Sequence, residues 1–499
     1  MNYPESANLV HDDRVFLGLL GLLIWAPLPL GSNRIWAIGI LLLWTLGLLA
    51  GTLLAWRGQS AVALARLQRF AWPLGLLAGM VALTWLQTLP MPVSMIALLS
   101  PEAARVQAGA GLMTLSLDVF QTRVMGMLAF VYFCVFLVTV LSVNSAARLD
   151  RLALTLVASG VLQAVLGTVL FTMGAHYRLF YVELAHSRVI GTFVNQNHMA
   201  GYLCMCLSIG IGLMLARLGT ESTWPGGWKN RLMVVFEFLL SPKMYLRILL
   251  IVMVIALVLT RSRMGNLAFI TAMLVVGLTT TLMSRRETNL EIRRATSTVI
   301  VLIASLVFID VFIVGTWVGL EKVVQRLEQT SLTKENSGSE ETLEERTDGG
   351  RRALGIIEDF PLTGTGGGSF YGSFMRYRGI GEFYYDHAHN DYVEIAADYG
   401  MIGLGLLGAM VAMALWRALS VLARRRSSLP RGIAFGVAMS IVAMLIHSTV
   451  DFNLQIPANA LTMVVILSLA WVSHELPSPG ISLRDRESSR KKAKGEIAL

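Results

Sequence analysis

The sequence predicts an all-α polytopic membrane protein with about twelve transmembrane helices, and three observations carry that reading. Apolar residues make up 55% of the chain and the mean hydropathy is +0.62, more apolar surface than a soluble fold can enclose. Those residues gather in runs close to the ~20 needed to cross a hydrocarbon core, without the strand alternation of a barrel. Basic residues concentrate in alternate connecting segments, as expected of a chain that threads back and forth. Only helices satisfy their own backbone in lipid, which fixes the class.

Taken in order, Met1 to Arg14 is polar, with Glu5, Asp12 and Asp13, and does not read as a secretory leader. Residues 1–14 are expected as a cytoplasmic N-terminus. Five spans follow within residues 15–174, at about 15–30, 35–55, 70–89, 124–143 and 152–174. Seven more fall within residues 175–474, at about 199–216, 247–260, 265–283, 298–318, 395–416, 432–449 and 459–473. Residues 475–499 form a basic tail. Twelve crossings put both termini in the cytoplasm and about 26 of the 41 Lys and Arg residues on that side. The net charge of +9 is then topology rather than a nucleic-acid footprint. Cys134, Cys204 and Cys206 all lie inside expected spans and read as packing residues rather than a disulfide framework or zinc site.

One long hydrophilic insertion, residues 320–391, lies on the expected outer side, between the ninth span and the last three. It opens with the acidic stretch SLTKENSGSEETLEER and continues as RRALGIIEDF, whose helical period stops at Pro361. One or two short helices lying over the membrane domain are expected from it. The glycine-rich GTGGGSF that follows lacks the lysine of a nucleotide loop and reads as a tight turn that brings backbone close to a ligand. Four polar clusters fall on the same outer side: HSRVIGTFVNQNHMAG, TRSRMGNL, the insertion with HAHNDY, and HSTVDFNLQIPANA. The inner side carries mainly arginines. Convergence of four clusters on one side marks it as the candidate site.

Each cluster offers particular chemistry. Arg261 and Arg263 stand where a span ends, and read either as interfacial anchors or as ligands for a phosphate group. Arg188 could add a third cation, and Arg346, Arg351 and Arg352 in the insertion are further candidates or simply solvated. His389 is the natural general base near neutral pH, with His387, Asn390 and Asp391 beside it to orient it or bind an acceptor, and Glu394 a turn later if the helix has begun; a carboxylate partner could orient the base and raise its pKa. Asn390 or Asp391 could equally cap the helix that starts there, and the His387–His389 pair could in principle hold a metal. His447 and Asp451, one helical turn apart, read as a proton relay, sugar contacts or an interhelical hydrogen bond, with Asn195 and Asn197 as further base-orienting or acceptor-binding candidates.

GTFVNQNHMAGYL, the Arg263-to-Leu267 spacing, PLTGTGGGSF and HAHNDYVEIAADYGMIG together resemble the O-antigen ligase and Wzy-type polymerase superfamily. The ligase signature is a histidine, then Asn, Ser or Gln, nine residues, Gly, two residues, and Gly, Thr or Tyr. His389, Asn390, Gly400 and Gly403 meet it here. The resemblance runs from about Arg188 to Asn459 and implies an inverting, metal-independent glycosyltransferase of the GT-C kind, without cofactor. It implies a donor glycan on undecaprenyl diphosphate, held at the periplasmic face of a bacterial inner membrane. The acceptor would be another glycan, lipid A–core or a protein. His389 takes the place of the catalytic base and Arg263 that of one diphosphate-binding arginine. Arg346, Arg351 and Arg352 compete for the second. A twelve-span transporter is the reading from a different class, but such folds hold their sites at the bilayer midplane rather than at one face.

Overall fold

A computed structural model describes residues 10–109, 112–173, 176–179, 182–185, 188–218, 242–284, 343–378 and 385–476. In chain order its helices are α1 (Val10–Trp25), α2 (Ile35–Ala55), α3 (Ser60–Gln68), α4 (Ala71–Gln87), α5 (Val93–Leu99), α6 (Pro101–Val106), α7 (Val119–Ser142) and α8 (Ala146–Thr172). There follow α9 (Gln196–Leu218), α10 (Pro242–Leu259), α11 (Arg263–Ser284), α12 (Leu343–Asp359), α13 (Phe370–Phe374), α14 (Asp391–Arg424), α15 (Ser428–His447) and α16 (Pro457–Glu475).

Among the described residues nine segments are long and apolar enough to cross a membrane: α2, α3–α4, α7, α8, α9, α11, α14, α15 and α16. The chain is a multi-pass membrane protein. At two further expected spans the helices are shorter, α1 with 16 residues and the apolar part of α10, Met244–Leu259. The span expected at 298–318, most of the acidic stretch and the tail beyond Leu476 lie outside the described residues. One departure from an all-α chain is a hairpin after α8, in which β1 (His176–Leu179) pairs antiparallel with β2 (Val182–Ala185). Four-residue strands are shorter than the window in which a period of two can be read, so the sequence did not announce them.

The bundle centres on α9, α15 and α16, the most enclosed of the crossing helices. α9 and α15 approach to backbone contact through small residues. A Cβ added at Gly212 would stand 2.2 Å from the Gly432 carbonyl oxygen, and one at Gly436 would stand 2.6 Å from that of Ser208. Ser208 and Gly212 are one turn apart on α9, as Gly432 and Gly436 are on α15, so a stripe of small residues meets its like. This crossing fixes the first turn of α9 and the last turn of α15 on one side of the bundle.

The opposite side is held by arginines. Arg148 bonds Asp12 and Asp13, each at 2.5 Å, and its guanidinium lies 5.2 Å from the Phe16 ring centre. Arg217 pairs with Asp150 at 2.8 Å, and Arg66 donates to the carbonyls of Val140 and Val143 at the end of α7. Arg425 donates to the carbonyls of His474 and Leu476. The residues expected to face the cytoplasm thus clamp helix ends together on a common side, distinct from the side with the polar clusters.

Over the polar side sits a small capping lobe. α12 and α13 come from the long insertion, as expected, but α5 and α6, between α4 and α7, join them. Its core contains Ile96, Ala103, Leu115, Ile356, Phe360 and Phe374. The lobe meets the bundle at a break in α14. Gly400 takes φ +64° and ψ −170°, a conformation open essentially to glycine alone. The freed carbonyls of Ala397 and Asp398 accept from the N–H groups of Thr365 (2.8 Å) and Gly366 (3.0 Å), while Met401 and Ile402 donate to the carbonyls of Pro361 (2.8 Å) and Leu362 (3.3 Å). The segment Pro361–Gly366 therefore replaces the missing turn of helix. Gln87, at the end of α4, completes the joint by donating to the carbonyls of Thr363 (2.6 Å) and Asp398 (2.9 Å) and accepting from the Gly367 N–H (3.1 Å).

A Cβ at residue 400 would stand 2.2 Å from the Leu362 carbonyl oxygen. Gly400→Ala is expected to destabilise the protein by at least about 2 kcal/mol, from backbone strain plus the lost close approach, read as a lowered melting temperature in detergent. The sidedness is open to labelling of introduced cysteines. Thr449→Cys, exposed on the polar side, is expected to react with an impermeant thiol reagent in intact cells, and Ser428→Cys, exposed on the arginine side, only after lysis.

Candidate functional site

The site is assembled where the first turns of α9, α11 and α14 meet the loop between α15 and α16. α15 ends at His447, and the chain then turns through Ser448–Ile456 before α16 begins. Phe452 in that loop is 7% exposed and serves as a common wall for three imidazoles. The His387 ring stacks on it at 3.9 Å and 16°, while His198 (4.6 Å) and His389 (5.1 Å) meet it edge-on. The Tyr385 ring stands perpendicular to His389 at 6.4 Å.

His389 is 6% exposed and holds φ +49°, the left-handed region that residues with a Cβ seldom occupy. Strain of this kind persists only where surrounding contacts impose it, and it concentrates at functional sites. Asn390 is the helix cap: its Oδ1 accepts from the N–H groups of Tyr392 and Val393, and its Nδ2 donates to the Thr449 carbonyl. Asp391 ties α14 to the neighbouring loop. Its Oδ2 accepts from Ser448 Oγ at 2.7 Å, and both its oxygens lie 3.2 Å from the Leu454 N–H. Of the two sequence readings for this pair, capping falls to Asn390, and Asp391 anchors a loop.

His387 Nδ1 lies 2.6 Å from Glu394 Oε1, one turn into α14. Burial would depress its pKa, but the charge and hydrogen bond of Glu394, helped by Asp386 and Asp398, push it up to about 9. His387 is therefore an imidazolium at neutral pH.

Asp451 was expected one helical turn from His447, but the helix stops at His447 and Asp451 lies in the loop beyond. There it reaches His198 Nε2 at 3.6 Å and accepts from the Phe452 N–H at 2.9 Å. Burial acts to raise its pKa, yet the pairing with His198 and the nearby His447 hold the carboxyl below the usual carboxylate range. Asn195 accepts from the Asn197 N–H at 2.8 Å and so caps α9, and Asn197 is buried in the first turn. Asn459 on α16 donates to the His198 carbonyl at 3.1 Å.

The arginines lie at the adjoining corner. Ser262 caps α11 through its Oγ, which accepts from the Gly265 N–H. Arg261 (φ +55°) and Arg263 flank it, both exposed and neither side chain with a hydrogen-bond or ion-pair partner among the described residues. The Val189 N–H donates to the Leu259 carbonyl, which brings Arg188 to the same corner. A Cβ added at Gly265 would stand 2.6 Å from Ala200 Cβ, so the starts of α11 and α9 touch.

In the lobe, Arg351 is exposed and Arg352 half-buried, both on α12. The Arg346 side chain lies outside the described ones. α12 covers the histidine loop: a Cβ at Gly349 would stand 3.1 Å from the Tyr385 ring, and one at Gly350 would stand 3.4 Å from the Ala388 carbonyl oxygen.

Sequence reasoning missed His198 and Phe452, and it set Glu394 beside His389, whereas the Glu394 carboxylate bonds His387. A histidine at the edge of an apolar span was a visible signal. A phenylalanine among apolar residues carries none. The GTGGGSF turn meets the break in α14 and Gln87, protein backbone and side chain, where a ligand had been expected. A cavity of ≈ 270 Å³ opens in the lobe beside Asp118, Ser369, Arg376 and Tyr377, and no predicted site residue lines it.

Residues 248–408 match the family model described as O-Antigen ligase (Wzy_C), which bears out the resemblance seen in the motifs. The matched segment contains Arg261, Arg263, the three candidate lobe arginines and the histidine loop with Gly400 and Gly403. No curated protein matches the chain.

A carboxyl held below its ordinary range stabilises the fold fully above pH ~4, and that contribution is lost as pH falls toward the folded value. Asp451→Asn is therefore expected to cost about 1–3 kcal/mol near neutral pH and less as pH drops below ~4, measured by unfolding in detergent across a pH series.

Proposed function

We propose that the protein is an inverting glycosyltransferase that moves a glycan from undecaprenyl diphosphate to an acceptor hydroxyl at the outer face of a bacterial inner membrane. The observation that carries the reading is a strained, buried histidine at a helix start that adjoins the exposed Arg261 and Arg263, within the segment that matches the O-antigen ligase family.

In this reading His389 is the base. An acceptor hydroxyl is far too weak an acid to ionise at neutral pH, so His389 takes its proton as the oxygen attacks the anomeric carbon. The new carbon–oxygen bond forms on the face opposite the departing phosphate, and the electron pair of the broken bond leaves with the lipid diphosphate. Arg263, Arg261 and Arg188 meet the growing charge from the membrane side, and one of Arg346, Arg351 and Arg352 meets it from the lobe. A diphosphate neutralised in this way is a good leaving group, so the scheme requires neither nucleotide nor metal.

Transfer to lipid A–core or to another lipid-linked repeat is favoured over transfer to protein, in surface polysaccharide biosynthesis. The gathering of the polar residues at helix ends on one side supports transfer chemistry over a transporter, whose site would lie midway through the bundle.

His389→Ala is expected to lower transfer from a purified lipid-linked glycan by roughly a thousandfold, with the protein still present in the membrane. Arg263→Ala is expected to lower it by about a hundredfold. Wild-type transfer by the histidine variant would overturn the assignment.

A further inference from the structure

Glu394 is 2% exposed, and both of its oxygens are committed to the loop that precedes its own helix. Oε1 lies 2.6 Å from His387 Nδ1, and Oε2 accepts from the Ala388 N–H at 2.9 Å. His387 is gripped on its flat side as well, by the Phe452 ring at 3.9 Å. On the far side of His389, Asn390 is fixed by its cap bonds and by the Thr449 carbonyl. The left-handed residue is thus bracketed, with both preceding residues held by one carboxylate and the following one held by the helix start.

We propose that Glu394 is a positioning residue: by clamping His387 Nδ1 and the Ala388 N–H together it imposes the left-handed turn at His389 and sets that imidazole against Phe452 and Tyr385, in the orientation that receives the acceptor proton. The proposal rests on the glycosyl-transfer reading above. A buried carboxylate with no partner would be costly, so the sequence must supply both donors or lose the fold locally. Neutral histidine would hold the clamp only as one tautomer, whereas the imidazolium always presents Nδ1–H.

The electrostatics around the clamp agree with this role. His387 faces Asp386 from its own loop, and Glu394 and Asp398 from α14. Beyond Phe452 lie Asp451 and His447 of the next loop and helix, and His198 of α9. The carboxylates outweigh burial and keep the proton on His387 up to about 9. A raised histidine pKa stabilises the clamped state fully below the ordinary value of ~6.5, and the contribution fades as pH rises through the folded value. Activity should share that alkaline limit.

The test compares the purified full-length wild type with Glu394→Gln, Glu394→Ala, His387→Gln and His389→Ala, in transfer from a lipid-linked glycan over roughly pH 6 to 10. Glu394→Gln keeps an acceptor for the Ala388 N–H but loses the charge, and is expected to lower kcat about tenfold; Glu394→Ala about a hundredfold. KM for the donor should stay within about twofold, because the arginines are untouched. The alkaline limb near pH 9 should move to lower pH in Glu394→Gln and vanish in His387→Gln, shifts that a general loss of folding would not produce. Melting temperature is followed for each variant, and Glu394→Gln, being isosteric, decides the matter if the alanine variant does not fold. Wild-type kcat and an unmoved alkaline limb in Glu394→Gln, with His389→Ala inactive, would overturn the positioning role alone. An active His389→Ala would overturn the transfer reading and this inference with it.

Discussion

The break in α14 at Gly400 is the constraint from which the arrangement around the site follows. A helix interrupted inside a protein leaves carbonyls and N–H groups that must find partners, because burying them unpaired costs about 1–3 kcal/mol each. Here the chain itself supplies the partners. Pro361 to Gly366 enters the gap and makes two bonds to each side of it, with Gln87 taking up part of the remainder. Gly364, Gly366 and Gly368 all hold positive φ, and at Gly364 a Cβ would stand 2.4 Å from the Asp398 carbonyl carbon, so the segment touches helix backbone there. The first nine residues of α14 thereby bridge lobe and bundle, with Ala397 in the lobe core and Ile395 and Tyr399 packed against α4, and the histidine loop is pinned at the seam.

On that seam the protein gathers its titratable groups around a single apolar ring. Phe452 makes no hydrogen bond through its side chain, yet it fixes the planes of His198, His387 and His389. The groups around it then differ by their partners. His198 is matched with Asp451, and His387 with Glu394, each across a helix-to-loop boundary. His389 has the exceptional backbone. The arrangement separates His387 from the candidate base by a single residue of chain, on a seam that adjoins the corner where α9 and α11 start.

Much of this was legible in the sequence, and the limits have physical causes. Hydropathy placed the crossing helices because a bilayer imposes a length, and the gathering of polar clusters at one side followed from counting crossings. The ligase signature marked His389, Asn390, Gly400 and Gly403, though not what the two glycines do. Gly400 is the break itself, and a Cβ at Gly403 would stand 2.2 Å from that of Tyr399. Spacing within one helix misplaced Asp451, since nothing local announced that α15 stops at His447. The pairing of Asp451 with His198 depends on which helix end lies beside which, and that is decided by the Gly212–Gly432 crossing, far along the chain from the residues it brings together.

That crossing has a consequence for how distant positions bear on the site. Gly212 lies roughly 21 Å along α9 from His198, and Gly432 roughly 22 Å along α15 from His447, at 1.5 Å of rise per residue. Two rigid rods touching at that point act as a lever, so a small angular change there becomes a displacement of ångströms where His198, His447 and the Asp451 loop meet. Remoteness from the histidines is therefore no measure of a residue's influence on them; the fulcrum sits near the opposite surface of the membrane.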